Sequence, residues 1–261
     1  MQFFYDDFQT CNENNQMELS ISSIIGNREN QQDSVGESVW ENSALVVVCD
    51  GMGGHAGGKQ ASSLAVDMFL RSFQNFRGDF TSKALNVLDS IDLAVMNLKD
   101  IDGNLMKAGT TLVAAYIVDK EVHWVSVGDS RIYIIRGKEM VQVTKEHNYK
   151  LRLDHFLEEG KISEEEYKEK ISEAEVLISF LGMGGMELVD VNSKPFRLYP
   201  NDIVLLTTDG LCKALEDETI RGIISCYKSV KDATKALMQR VREMGIGQML
   251  DNTTFAIIKI K

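Results

Sequence analysis

Two hydrophobic periodicities alternate along this chain. Leu19 to Ile25 has strand composition, and Val46-Val47-Val48-Cys49 is an apolar, β-branched run of the kind a buried strand carries. Apolar residues then recur at three- and four-residue spacing over Lys59–Phe76, through Ala61, Leu64, Ala65 and Met68, and again over Thr81–Lys99. That spacing predicts two amphipathic helices. Strand patterning returns from Gly109-Thr110-Thr111 through Val118 and over Glu121–Val127, with Asp119-Lys120 as the turn. Another strand begins at Ile132, and Gly137 predicts a hairpin to Met140–Val143. From His147 to Ser179 the chain reads as helical and acidic, and Ser163 with Glu166 fits a capping box. Leu188–Leu198 is strand-like, and Asp202–Leu211 is an apolar strand ending in Asp-Gly. Helices are predicted at Glu218–Cys226 and Lys231–Glu243, then a last strand at Phe255–Ile260. The order shows paired strands and paired helices without βαβ alternation. Residues 1–17 are polar with scattered aromatics and read as a flexible leader before a single domain over 18–261.

Composition narrows the class. A length of 261 residues suits one large domain or two small ones, and with two prolines and no low-complexity linker one domain is expected. Hydrophobic content of 44% permits a sizeable core. A net charge of −11 argues against a nucleic-acid-binding surface and suits a protein that gathers cations, though solvated surface explains it equally. Cys11, Cys49, Cys212 and Cys226 show no CxxC spacing and read as reduced thiols of a cytoplasmic protein. No stretch approaches the length of an apolar membrane span, and the N-terminus lacks a basic, apolar signal, so no membrane association is expected.

The chemistry gathers around Leu45–Lys59, LVVVCDGMGGHAGGK. A carboxylate, Asp50, ends the strand, and Gly51, Gly53, Gly54, Gly57 and Gly58 follow, which lets backbone approach a ligand closely. A tight strand–turn–helix connection with an acidic turn residue is the plain alternative. The loop has neither the GxGxxG of a dinucleotide fold nor the Gly-Lys-Ser/Thr of a P-loop, and no alternating acids of an EF-hand. Asp129, Asp209 and Asp251 share the context: each flanks an apolar strand. The polar stretch Gly26–Ser34 is either an exposed hairpin loop or a rim presenting Arg28 and Asp33 together. Two carboxylates about 4 Å apart repel by about 4 kcal/mol at an effective dielectric near 20. Were the four aspartates to converge, a cation would be needed, and aspartate-only ligation suits Mg²⁺ or Mn²⁺ rather than zinc. The sequence alone leaves their convergence open.

Several ordered motifs supply a resemblance. DGMGGHAGGKQAS at Asp50–Ser62 resembles the bacterial form of the metal-dependent protein phosphatase family, type 2C. GNRENQQDS (Gly26–Ser34), GTT (Gly109–Thr111), VGDSRIYIIRGKEMVQVTKEHN (Val127–Asn148), Leu181-Gly182, DIVLLTTDGL (Asp202–Leu211) and DNTT (Asp251–Thr254) follow in the family's order. The resemblance implies an α+β fold: a four-layer α/β/β/α sandwich of two antiparallel sheets flanked by helices, with a helical flap over about 148–181. The order of elements above agrees. It implies that Asp50 bridges two catalytic Mn²⁺ or Mg²⁺ ions, with the Gly51 carbonyl on one and Asp209 and Asp251 on the other. Asp129 with Asp209 matches a third, weaker ion, and Asp33 an acid reaching a metal through water. Arg28 matches the arginine that grips the substrate phosphate, as guanidinium geometry suits.

The sequence departs from the family at Gln32, where glutamate is common, and at Glu146-His147, where aspartate-histidine is usual. His55 is the candidate general acid for the leaving alkoxide, with a loop-packing role as its alternative. His123 reads as structural, and His147 and His155 as surface residues. The implied reaction is hydrolysis of phosphoserine or phosphothreonine in proteins by a metal-activated water, without a covalent phosphoenzyme. The implied partners are phosphoprotein substrates and a cognate serine/threonine kinase, with the enzyme itself a monomer. A phosphatase-like binding module without turnover, or a hydrolase of small phosphate esters or nucleotides, are the competing readings.

Overall fold

Strands come in hairpins and helices in pairs, as the hydrophobic periodicity requires. The computed structural model describes residues 7–54, 56–74 and 77–261. Strands β1 (Phe8–Glu13) and β2 (Met17–Ile24) form one hairpin, β3 (Ser34–Val39) and β4 (Ser43–Cys49) a second. The short β5 (Gly51–Met52) leads into helices α1 (Gly57–Ser72) and α2 (Phe80–Met96). Then come β6 (Gly109–Thr110), β7 (Leu112–Val118), β8 (Glu121–Val127), β9 (Arg131–Arg136) and β10 (Glu139–Gln142). Helices α3 (Tyr149–Glu158) and α4 (Glu164–Lys170) make an insert, followed by the two-residue strands β11 (Asp190–Val191) and β12 (Phe196–Arg197). Strand β13 (Ile203–Thr207), helices α5 (Asp209–Ala214), α6 (Asp217–Cys226) and α7 (Val230–Met244), and β14 (Thr253–Ile260) complete the chain.

The sheets run β1-β2-β14-β13-β9-β10 and β11-β8-β7-β4-β3, with β12 also on β8, and the pairings between these strands are antiparallel. Side-chain alternation sorts each central strand into two layers. In β4, Leu45, Val47 and Cys49 pack with α1 and α2, whereas Ala44, Val46 and Val48 face the other sheet. In β13 and β14, Val204, Leu206, Ala256 and Ile258 enter that same middle layer, while Leu205, Phe255 and Ile257 meet α6 and α7. A strand covered on both faces carries no polar alternation, which is why these stretches read as continuous apolar runs. The result is the four-layer α/β/β/α sandwich. All four cysteines are free thiols. Among the described residues no helix is long and apolar enough to cross a membrane.

Several expectations need correction. The leader expected over 1–17 is, in its described part, the edge strand β1, paired with β2 from Phe8↔Ser23 to Glu13↔Glu18. Residues 1–6 lie outside the described residues. The segment FQTCNE is polar because an edge strand is half open to water, and this hid it from periodicity. Strand β3 escaped for the same reason, and α5 because six residues are too few to show a helical period. The strand-like Leu188–Leu198 forms only β11 and β12. The predicted end of the first helix, Phe76, lies outside the described residues, and α1 ends at Ser72. The capping box of α4 is present, with Ser163 and Glu166 each accepting the other's backbone N–H. His147, expected on the surface, is buried, and its role is described below.

The middle layer should carry much of the stability. Leu206 is fully buried there. Leu206→Ala should cost about 2–5 kcal/mol through lost contacts and the cavity left behind. Urea unfolding followed by circular dichroism checks this, and a loss under about 1 kcal/mol would contradict a close-packed seam between the sheets.

Candidate active site

Antiparallel register decides which loops meet. In the first sheet Thr207 of β13 pairs with both Arg131 of β9 and Phe255 of β14, and Thr253 of β14 pairs with Ile24 of β2. The end of β13, the starts of β9 and β14, and the end of β2 therefore share one rim. Asp209, Asp129, Asp251 and Arg28 follow or precede those strand ends. In the second sheet Ser34 pairs with Cys49 and Leu112 with Val127, so Asp33, Asp50 and the Asp129 loop leave at the corresponding rim.

Small polar residues clamp these loops. The Asp50 N–H donates to Thr111 Oγ1 at 2.9 Å, and the Asp50 carbonyl accepts from Thr110 Oγ1 at 2.8 Å and the Thr111 N–H at 2.9 Å. Thr111 Oγ1 also lies 2.7 Å from Ser130 Oγ, tying the Asp50 loop to the Asp129 loop. His147 Nδ1 accepts from the Gly128 N–H at 3.2 Å, and the His147 N–H donates to the Gly128 carbonyl at 2.9 Å. Thr208 Oγ1 donates to Asp33 Oδ2 at 3.0 Å, and Lys59 Nζ donates to the Asp33 carbonyl at 2.7 Å. Gln32 joins the Asn252 loop to the glycine loop: its N–H donates to Asn252 Oδ1 at 2.8 Å and Nε2 to the Gly53 carbonyl at 3.2 Å. A Cβ on Gly51 would sit 2.1 Å from the Gly58 carbonyl oxygen, so only glycine permits this close approach of loop and helix start.

The electrostatics show the cost of this gathering. Burial first, then repulsion from Asp33, Asp209, Asp129 and Asp251, pushes the Asp50 carboxyl well above its ordinary range. Asp33, 1% exposed, is raised to about 7, mainly by burial and further by Asp209 and Asp251, against hydrogen bonds from Thr254 and Thr208. Asp129 is also raised to about 7, by burial and then Asp209. Asp33 Oδ1 and Asp209 Oδ1 are buried without a hydrogen-bond partner. Two cations answer the charge. Lys213 Nζ contacts Asp209 Oδ2 and lies 3.4 Å from Asp251 Oδ2, and Arg28 Nε pairs with Asp251 Oδ1 at 2.9 Å. Among the described residues no three Asp, Glu, His or Cys side chains stand tightly enough together to hold an ion without moving.

The expected residues thus fall into place unevenly. Asp33, Asp50, Asp129, Asp209 and Asp251 share one neighbourhood, Gly51 lies in β5 paired with Thr110, and Arg28 stands at the rim, half exposed. His55 lies outside the described residues. His123 stacks among Phe80 and Tyr116, away from the cluster, and His155 is exposed. Residue-by-residue reading missed Lys59, Thr208, Lys213 and Asn252, and gave GTT no role. It also missed Asp92, a buried acid of α2 that accepts from the backbone N–H groups of Gly182, Met183 and Gly184 at 2.7, 3.1 and 3.4 Å. Asp92 lies in an amphipathic helix pattern and carries no local signal.

The family model for protein phosphatase 2C matches residues 22–253. The chain belongs to the protein phosphatase 2C family. Protein phosphatase PhpP of Streptococcus pneumoniae is 27% identical to this phosphatase over 250 residues, covering 94% of this chain and 98% of that one. The serine/threonine phosphatase of S. agalactiae superposes with a TM-score of 0.80 at 25% identity, covering 94% of this chain and 100% of that one. The catalytic domain of the serine/threonine protein phosphatase PstP, solved with two manganese ions, gives a TM-score of 0.72 at 25% identity over 94% and 98% of the two chains. The phosphatase is accordingly a bacterial-type protein serine/threonine phosphatase.

The raised carboxyls predict a pH dependence. Asp33 and Asp129 keep their protons in the folded state up to about pH 7, against an ordinary value of 3.8. Their contribution to stability is therefore fully present below the ordinary value and lost as pH rises to about 7. In EDTA the phosphatase should melt lower at about pH 7.5 than at about pH 5.5, and Asp33→Asn should flatten that difference. A melting temperature that rises over this interval equally in both proteins would contradict it.

Proposed function

We propose that the phosphatase hydrolyses phosphoserine and phosphothreonine in proteins, opposing a serine/threonine kinase, at a centre of two Mn²⁺ or Mg²⁺ ions. The carrying observation is the group of mutually repelling aspartates at one end of the sandwich, with an arginine on its rim. The donor set fits such ions. It offers only hard oxygens, and the unpartnered, buried Asp33 Oδ1 and Asp209 Oδ1 lack a donor that a cation would replace. In this reading Asp50 would serve both ions, the Gly51 carbonyl one of them, and Asp209 and Asp251 the other. Asp129 with Asp209 would take a third ion, and Asp33 would reach its ion through water. When bound, such ions supply a water of lowered pKa and polarise the phosphoryl oxygens.

The chain's own groups do the rest. Arg28 orients the phosphate and offsets its charge, releasing Asp251 as it does so. The buried Thr110 and Thr111 hydroxyls hold Asp50 through its backbone carbonyl and N–H. His55 is the proposed general acid for the leaving serine or threonine oxygen. A thiol nucleophile has no place here. Cys49 lies buried directly before Asp50, and burial with the Asp33 and Asp50 charges pushes its pKa well up, away from the reactive thiolate. The α3–α4 insert rejoins the body at Leu181, which exchanges backbone hydrogen bonds with Thr110 at 2.9 and 3.0 Å. It therefore borders the clamp of Asp50, where residues flanking the phosphate would be read.

Asp50→Asn should leave the fold intact, since Asp50 is held through its backbone, and should lower Mn²⁺-dependent turnover of p-nitrophenyl phosphate by about a hundredfold or more. Turnover within about tenfold of the parent at saturating Mn²⁺ would remove Asp50 from the centre. Arg28→Ala should cost about 1.5–3 kcal/mol, or roughly ten- to a hundredfold in kcat/KM, carried mostly by KM for a phosphopeptide. An unchanged KM would refute phosphate binding by Arg28.

A further inference from the structure

Helix α5 begins at Asp209, and Lys213 follows one turn later on the same face. Its ammonium contacts Asp209 Oδ2 at the start of the same helix and stands 3.4 Å from Asp251 Oδ2, before β14. Asp209 and Asp251 are the pair that the proposed metal centre assigns to one ion. We propose that Lys213 is a built-in counter-cation of this aspartate cluster, seated on the oxygens where a divalent ion must land, so that it sets the affinity for metal. The inference rests on the metal-centre reading above.

Three further observations support it. Arg28 takes the other oxygen of Asp251, so both Asp251 oxygens are engaged by cations of the chain. The Lys213 side chain is 51% exposed, and an ion pair half open to water is weakly held, so a divalent ion can displace it but meets a competitor. A cavity of about 150 Å³ is walled by Lys213 together with Arg28, Gly210, Ala214 and Asp251 among others, space into which the side chain could withdraw. The same arrangement would spare the metal-free chain part of its carboxylate repulsion, because the positive charge sits where like charges meet.

The experiment measures metal binding and stability rather than turnover. Mn²⁺ is titrated calorimetrically into the chelator-stripped parent, Lys213→Met and Lys213→Arg, and each is melted in EDTA and in saturating Mn²⁺. Lys213→Met should bind Mn²⁺ about three- to tenfold more tightly at low salt, with the gap narrowing at high salt, and Lys213→Arg should match the parent. In EDTA the methionine variant should melt below the parent, and in saturating Mn²⁺ that deficit should close. If methionine does not fold, as judged by circular dichroism, Lys213→Gln replaces it with the same expectations. A parent that takes up no Mn²⁺ overturns the metal-centre reading itself. A parent that binds while the neutral variants bind equally or more weakly overturns the role of Lys213 alone.

Discussion

Mutual repulsion among five buried or half-buried carboxylates is the constraint on which this molecule turns. Asp33, Asp129, Asp209 and Asp251 all raise the proton affinity of Asp50. No folded chain gathers such charges unless something else holds the loops that carry them. Here the holding is done by backbone. Asp50 is fixed through its own N–H and carbonyl by two threonines, and Asp33 through its carbonyl by Lys59. Oδ1 of Asp33 and Oδ1 of Asp209 nevertheless stay buried without a hydrogen bond.

The same constraint explains why the scaffold is so apolar. Three hydrophobic layers lie between and outside the two sheets, and they set the strand registers that bring the loops together. A slip of one residue in β13 or β14 would turn each inward side chain outward, so register is strongly specified. Repulsion at the rim is opposed by burial in the layers behind it. Stability stored away from the site permits strain within it.

Charge compensation is local and uneven. Lys213 and Arg28 both turn to Asp251, and Lys213 also turns to Asp209, whereas the Asp33 carboxylate takes hydroxyl donors from Thr208 and Thr254 and Asp50 is held through its backbone. Burial works against the Lys213 charge, yet Asp209, Asp251 and Asp129 outweigh it and hold its pKa above the ordinary lysine value. The deeper carboxylates answer burial by keeping protons, and the outer ones by pairing with cations. That gradient from proton to ammonium is what a divalent ion would have to replace.

Much of this was legible along the chain. Val46 to Cys49, Val204 to Leu206 and Phe255 to Ile258 announce buried strands because apolar side chains on both faces leave an unbroken run. The aspartates stand out because each ends or precedes such a run, often beside glycine, where backbone must pass close to backbone. Edge strands β1 and β3 stayed hidden, since half-exposed strands owe their structure to a partner rather than to their own pattern. His147 looked like surface, and it is buried, with Nδ1 accepting from the Gly128 N–H and its own N–H donating to the Gly128 carbonyl. Asp92 and Lys59 act on atoms far away in sequence, and Lys213 reaches Asp251 as well as its helix neighbour Asp209; no local pattern encodes the long-range contacts. Local sequence determines where strands end and which residues stand there. Only the antiparallel registers, set by packing across three layers, decide that those ends meet, and that a lysine stands among them.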